Sequence, residues 1–137
     1  MKTLTVLKYL LIFFLFAGMG CEEAIIDQGF IIGKEERFQI NQLYTSANGQ
    51  YTIKITEVSD SRCPEGVQCI WQGEVTVKGD WTENNNKSSF EIHSVVSNQT
   101  KQPTGYTVQI VDAKPYPKYG TESKPEDLVV TLLIQKK

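Results

Sequence analysis

The sequence has little of what most catalytic and metal sites are built from. Its 137 residues include one histidine, His93, and three cysteines. A zinc site commonly takes four Cys or His ligands in close-spaced pairs, and a calcium loop takes clustered acidic oxygens. Neither pattern occurs, nor does a Gly-x-Ser-x-Gly turn or a glycine-rich phosphate loop. We therefore predict no catalytic residue, no metal and no cofactor, and expect His93 to be a solvated surface residue.

Positive charge is also scarce. The chain has 14 Lys and Arg residues against 16 Asp and Glu residues, a formal net charge of −2. Residues 1–20 hold two of the lysines and no acidic residue, so the rest of the chain carries −4. Because nucleic acid binding requires a basic face, we expect no nucleic-acid partner.

Long apolar runs are absent after residue 20, and the first one is short. Lys2 and Lys8 precede an almost wholly apolar segment, 10–17, which is shorter than the ~20 residues of an ordinary membrane span. Small residues and then Cys21 follow it. This order is typical of a secretory signal peptide.

A cysteine directly after the signal peptide predicts a bacterial lipoprotein, cleaved before Cys21 and lipidated on that thiol. Gly18 stands where such cleavage sites usually have leucine, whereas Gly20 fits the pattern. Lipidation also explains the odd cysteine, and two or more acyl chains attach a protein stably to a membrane. The alternatives are secretion with a free thiol or a retained signal anchor. We predict a lipoprotein signal peptide at 1–20, a lipidated cysteine and tether at 21–34, and a β domain at 35–137.

The remainder of the chain predicts strands and no helix. Apolar and polar residues alternate with a period of two, which is typical of half-buried strands. Six segments show this pattern clearly, and Val95 and Val96 could add a seventh, short edge strand. Frequent turn residues separate these segments, so we predict an all-β fold, a single antiparallel β-sandwich of six to seven strands, with a small barrel as the alternative. The six clear segments are 36–41, 51–58, 71–78, 89–93, 106–110 and 128–134.

The alternation also predicts which side chains form the core. They are the apolar residues of one phase in each segment. The predicted core residues are Phe38, Ile40, Tyr51, Ile53, Ile55, Trp71, Val75, Val77, Phe90, Ile92, Val108, Ile110, Val130, Leu132 and Ile134.

The most specific stretch connects two of these strands. Cys63 and Cys69 stand at either end of a turn that contains Pro64 and Gly66. In an oxidising compartment this spacing indicates a disulfide that closes the loop, and redox or metal chemistry is less favoured because such pairs are usually Cys-x-x-Cys. Arg62 is expected either to pair with Asp60 or to lie across Trp71.

The same stretch is a candidate contact surface. Arg62, Glu65 and Val67 would present it, and Tyr116 would add to it from the Pro-rich segment 114–119. The alternative is that the tyrosines of that segment cover the end of the sandwich.

A resemblance to known proteins rests on this stretch. The motif runs Asp-Ser-Arg-Cys-Pro from Asp60 and Cys-x-Trp-x-Gly-Glu from Cys69. It resembles the mark of a family of uncharacterised bacterial lipoproteins and secreted proteins. The resemblance extends to Glu57-Val58 and to the Tyr106 strand with its following Pro115-Tyr116-Pro117. It implies a compact extracytoplasmic β domain and no particular activity or site residue.

These observations predict a non-enzymatic binding or accessory domain, tethered through Cys21 to the outer membrane of a bacterial envelope. One alternative is that the Cys63–Cys69 loop acts as an inhibitor-like probe of a partner protein, which requires Glu65 or Val67 to be exposed on a protruding loop. Another is a structural envelope protein that contacts only its neighbours.

Overall fold

The computed structural model describes residues 28–95 and 101–137. The predicted signal peptide, Cys21 and the first part of the tether lie outside these residues, as does Val96. A single turn of 3-10 helix, Pro125–Asp127, precedes the last strand. The strands described are β1 (Gln28–Phe30), β2 (Glu35–Gln39), β3 (Leu43–Ser46), β4 (Tyr51–Asp60), β5 (Val75–Glu83), β6 (Asn86–His93), β7 (Tyr106–Lys114) and β8 (Val129–Lys136).

The strands form two sheets. One sheet has the order β1-β3-β4-β5-β6, and the other has the order β2-β8-β7. Among the described strands every pairing is antiparallel except that of β1 with β3. The all-β sandwich is therefore confirmed, and the small barrel is wrong because the two sheets stay open and separate. The sequence pattern missed β3, and β1 falls in the segment expected to be tether.

The core lies between the two sheets. Most of the predicted core residues are buried there, and Ile40, Tyr51 and Ile110 are partly buried against it. Burying one such aliphatic or aromatic side chain contributes about 1.5–3 kcal/mol, so the two inner faces hold the sheets together. The described core consists of Phe30, Phe38, Tyr44, Ile53, Ile55, Val58, Val75, Val77, Trp81, Phe90, Ile92, Tyr106, Val108, Ala113, Leu128, Val130, Leu132 and Ile134.

Trp71 was predicted to be a core residue, and this is wrong. Its side chain is 82% exposed, because β5 begins only at Val75. Gly73, in between, has a φ of +71°, which breaks the alternation that placed Trp71 in phase with the strand. Trp81, 2% exposed, is the tryptophan of the core, and its ring centroid lies 5.3 Å from that of Tyr51.

The short edge strand predicted at Val95 and Val96 is not found where the structure describes the chain. Val95 lies in a bend after β6 and is 42% exposed. One edge strand of the larger sheet is β6, which pairs with β5 from Asn86 to His93. On its other side Glu91 forms a single bridge with Lys101.

Two connections project from the same end of the sandwich. Segment 61–74 joins β4 to β5, and we call it the disulfide loop. Segment 115–121, which follows β7, is called the tyrosine loop. The two are joined by hydrogen bonds, so we refer to them together as the loop end.

Candidate functional site

The base of the disulfide loop is a two-stranded ribbon that continues β4 and β5. The backbone N–H of Ser61 donates to the Glu74 carbonyl at 2.9 Å, and that of Cys63 donates to the Gln72 carbonyl at 2.9 Å. Cys63 and Cys69 are bonded as a disulfide, with their Cα atoms 5.9 Å apart. The predicted disulfide is thus confirmed. It closes the ribbon above its last hydrogen bond, and we call residues 64–71, which lie beyond that bond, the apex.

Gly73 is required by this ribbon. Its φ of +71° favours glycine. A Cβ atom on it would also collide with the backbone carbonyl of Ser61 on the opposite arm. The two arms therefore approach each other more closely than a side chain at this position allows.

Arg62 lies beneath the disulfide loop, and its side chain contacts both Asp60 at the end of β4 and the tyrosine loop. Its side chain is 13% exposed and that of Asp60 is 6% exposed. Nε donates to Asp60 Oδ1 at 2.9 Å and Nη2 donates to Oδ2 at 2.6 Å. These bonds are bidentate and charge-assisted, and they raise the pKa of the Arg62 guanidinium.

The same guanidinium supports the tyrosine loop. Its central carbon lies 4.4 Å from the centroid of the Tyr116 ring, a cation–π distance. Of the two contacts expected for Arg62, the pairing with Asp60 is confirmed, whereas the aromatic ring it covers is that of Tyr116 and not that of Trp71.

The disulfide loop and the tyrosine loop are bound to each other. The N–H of Glu65 donates to the Pro117 carbonyl at 2.9 Å, and the N–H of Tyr119 donates to the Glu65 carbonyl at 3.2 Å. Two loops separated by about fifty residues of sequence therefore form one continuous surface. No local pattern in the sequence indicates this pairing.

That surface is unusually apolar. Five of the nine large hydrophobic side chains that are exposed in 28–95 and 101–137 belong to it. A sixth, Val95, lines a cleft together with Trp71 and Tyr116, so apolar exposure is concentrated at one end of the molecule. Ile70 is 97% exposed, Trp71 82% and Tyr119 75%. The other members are Val67 and Tyr116.

The candidate contact residues of the sequence lie at different depths. Glu65 and Val67 are exposed on the apex, the latter at 38%. Tyr116 is 40% exposed beside them. Arg62 is part of the support below the surface. The sequence analysis missed Ile70, Trp71 and Tyr119 as exposed residues. The exposed tryptophan could have been found from Gly73, whose position interrupts the strand.

A cleft of about 670 Å³ lies beside the apex. Trp71, Gln72 and Tyr116 form part of its wall. The two serines that line it form hydrogen bonds with backbone groups. Ser61 Oγ donates to the Glu74 carbonyl at 2.9 Å, and Ser94 Oγ accepts from the Val75 N–H at 2.9 Å. We therefore assign both hydroxyls a structural role.

His93 was expected to be solvated, and this is wrong. Its side chain is 12% exposed, because it lies on β6 against β5. Nδ1 is 3.1 Å from Thr76 Oγ1 and 3.2 Å from Glu74 Oε1, and Nε2 is 3.6 Å from Glu91 Oε1. The ring thus lies between side chains at the start of β5 and the side chain of Glu91 in β6.

Within the part of the chain that the structure describes, no group of three or more His, Cys, Asp or Glu side chains is arranged to hold a metal ion. Nor does that part contain a helix long and apolar enough to cross a membrane. No protein-family model, curated protein or solved structure matches the sequence or fold of this chain.

Proposed function

We propose that this protein is a lipid-anchored component of a bacterial cell envelope, and that its β domain is a non-enzymatic binding module. The loop end is its contact surface. The observation that carries the proposal is the exposure of Ile70 and Trp71, at 97% and 82%, on a loop closed by a disulfide. Contiguous exposed apolar surface marks interaction sites, and aromatic residues are enriched in them.

The loop end is also held in one shape before it binds. The ribbon, the disulfide and the hydrogen bonds to the tyrosine loop fix the apex from three sides. A surface that is already ordered loses less conformational entropy when it binds. This arrangement suits a contact site better than it suits a chance exposure of side chains.

Two features support the envelope location. The Cys63–Cys69 disulfide is of the kind that persists in oxidising compartments outside the cytoplasm. The order of basic residues, apolar segment and Cys21 is that of an exported lipoprotein. The acyl chains on Cys21 would hold the domain to the membrane, with its outer-membrane destination part of the same proposal.

An inhibitor-like role is a second candidate, because Glu65 and Val67 are exposed at the apex and the apex protrudes. In that role the segment 64–68 would enter the cleft of a partner enzyme. Loss of partner inhibition on Glu65→Ala, with Ile70→Asn unaffected, would favour this role over a contact made by Ile70 and Trp71.

The test places a photoreactive amino acid at position 70 of the full chain in its native envelope. The matched control carries it at position 85, in the exposed turn between β5 and β6. We expect crosslinks from position 70 and few from position 85. Equal crosslinking from both would refute the contact surface. Protein isolated from its native membranes whose intact mass shows no lipid on Cys21 would refute the anchor.

A further inference from the structure

We propose that the loop end docks on the lipid bilayer that holds the acyl chains of Cys21. This inference rests on the proposed lipid anchor, and it names the partner of the contact surface. It follows from the chemistry of the apex, from the direction of β1, and from the length of chain between Cys21 and Gln28.

The exposed side chains of the loop end are of the types that a membrane interface favours. Trp71 and Tyr119 have an apolar ring with one polar atom, and such rings gather at the level of lipid headgroups. Ile70, between the disulfide and Trp71, is almost wholly exposed and has no polar atom in its side chain. The exposed charges nearby are of both signs, Glu65 and Lys118, so the apex needs no anionic lipid.

The direction of β1 shows which end of the sandwich Gln28 faces. β1 runs parallel to β3, with Gln28 opposite Tyr44. β3 runs antiparallel to β4, with Tyr44 opposite Ile53. Since β4 runs toward the disulfide loop, β1 runs away from it. The N-terminal end of β1, at Gln28, therefore faces the loop end.

The fully extended tether is shorter than the distance along the strands from Gln28 to the top of the ribbon. Seven residues lead from Cys21 to Gln28, and they span at most about 25 Å when fully extended. Gln28 lies level with Ile53. From Ile53, β4 rises about 23 Å to Asp60, and the ribbon adds about 10 Å more to Cys63, at roughly 3.3 Å per residue.

An anchored domain with this geometry cannot hold the apex far from the lipid. If the tether leaves in the direction that β1 sets, even a fully extended tether of about 25 Å is shorter than the roughly 33 Å from Gln28 to the top of the ribbon. Ile70 and Trp71 then reach the bilayer surface. The acyl chains and the apex then act as two attachments on one membrane. A second attachment raises the effective concentration of the apex at the surface without requiring strong binding of its own.

The two tryptophans provide the experiment. Trp71 is exposed at the apex, whereas Trp81 is 2% exposed inside the sandwich, and the sequence has no others. The full lipidated chain is purified in detergent and reconstituted into vesicles of phosphatidylethanolamine and phosphatidylglycerol that carry brominated acyl chains. We expect bromine to lower the Trp71 emission roughly twofold, as for a ring at the interface.

Three variants make the result specific. Trp71→Phe leaves only Trp81, and its emission should not change with brominated lipid. Ile70→Asn removes an apolar side chain of the apex and should reduce the quenching of Trp71. Leu43→Asn changes an exposed leucine at a distance from the loop end, 59% exposed, and should leave the quenching unchanged.

Vesicle flotation separates this inference from the proposal on which it rests. Chain that does not float with the vesicles would refute the lipid anchor itself. Chain that floats while Trp71 emission is the same in brominated and ordinary lipid would overturn the membrane-docked apex and leave the anchor intact. Capture of a protein by a photoreactive residue at position 70 in native membranes would overturn it as well.

Discussion

The buried pair between Asp60 and Arg62 yields the sharpest test of the site's architecture. Asp60→Ala removes the acceptor of three hydrogen bonds, two from the guanidinium and one from the Arg62 backbone N–H at 3.1 Å. Breaking a buried pair from one side costs about 3–5 kcal/mol, because it strands the other charge. With 6% and 13% of the two side chains exposed, we expect about 3 kcal/mol for Asp60→Ala.

A double-mutant cycle isolates the interaction between the two side chains. Asp60→Ala, Arg62→Ala and the double variant are unfolded in urea, and we expect a coupling energy of about 2 kcal/mol, within the range for residues in one network. The matched control is Lys78 with Glu57, which pair at 3.0 Å with 41% and 57% of their side chains exposed. Solvent screening should bring that coupling within experimental error.

The outcome that would refute the reasoning is a coupling between Asp60 and Arg62 no larger than that of the control pair. It would mean that the Asp60–Arg62 pair is solvated in solution, and that Arg62 does not fix the base of the loop. A second readout follows from the 4.4 Å contact between Arg62 and the Tyr116 ring. In Arg62→Ala the tyrosine loop should exchange its amide hydrogens faster, while those of β8 keep their rates.

Three further predictions concern the loop base and the core. Gly73→Ala should destabilise the domain by more than the roughly 1 kcal/mol of a strained φ alone. The control is Gly49→Ala, at a φ of +70° in open space, which should cost only that strain. Equal urea midpoints for the two variants would contradict the crowding at Gly73. Replacing Cys63 and Cys69 together by serine should lower stability by about 2 kcal/mol, from the loop-closure entropy of a short loop, and urea unfolding with and without reductant checks it. The hydrogen bond to a neighbouring tyrosine raises the pKa of Tyr106 in the folded state from 10.0 to about 12. Because the folded protein holds this proton more tightly than the unfolded chain does, the stabilisation is complete below pH 10 and is lost as the pH rises toward 12. Tyr106→Phe should flatten the pH dependence of the denaturation midpoint in that window.

The strands could be predicted because their side chains follow one rule. Ile53 and Ile55 in β4 and Tyr106 and Val108 in β7 alternate with polar residues, and all four are buried. A strand with one covered face must show this period, so the sequence specifies which face turns inward. β3 was missed because its four residues, Leu43–Ser46, bury a tyrosine and a serine and not two aliphatic side chains.

The rest could not be predicted because it depends on contacts between distant segments. Trp71 is the exception, because its exposure follows from a local feature: Gly73, with a positive φ, interrupts the strand and reverses its phase. The burial of His93 depends on Thr76 from the adjacent strand. The joining of Glu65 to Pro117 depends on how two loops fold over the same end of the sandwich.

The disulfide at the top of the ribbon separates two kinds of selection on the sequence. Below Cys63 and Cys69, the positions are constrained by each other: Asp60 by Arg62, and Gly73 by the carbonyl opposite it. In the apex, by contrast, the side chain of Ile70 contacts almost nothing in its own molecule. Substitutions at the apex should therefore cost the folding of the domain little, so its exposed side chains can change while the frame beneath them stays the same.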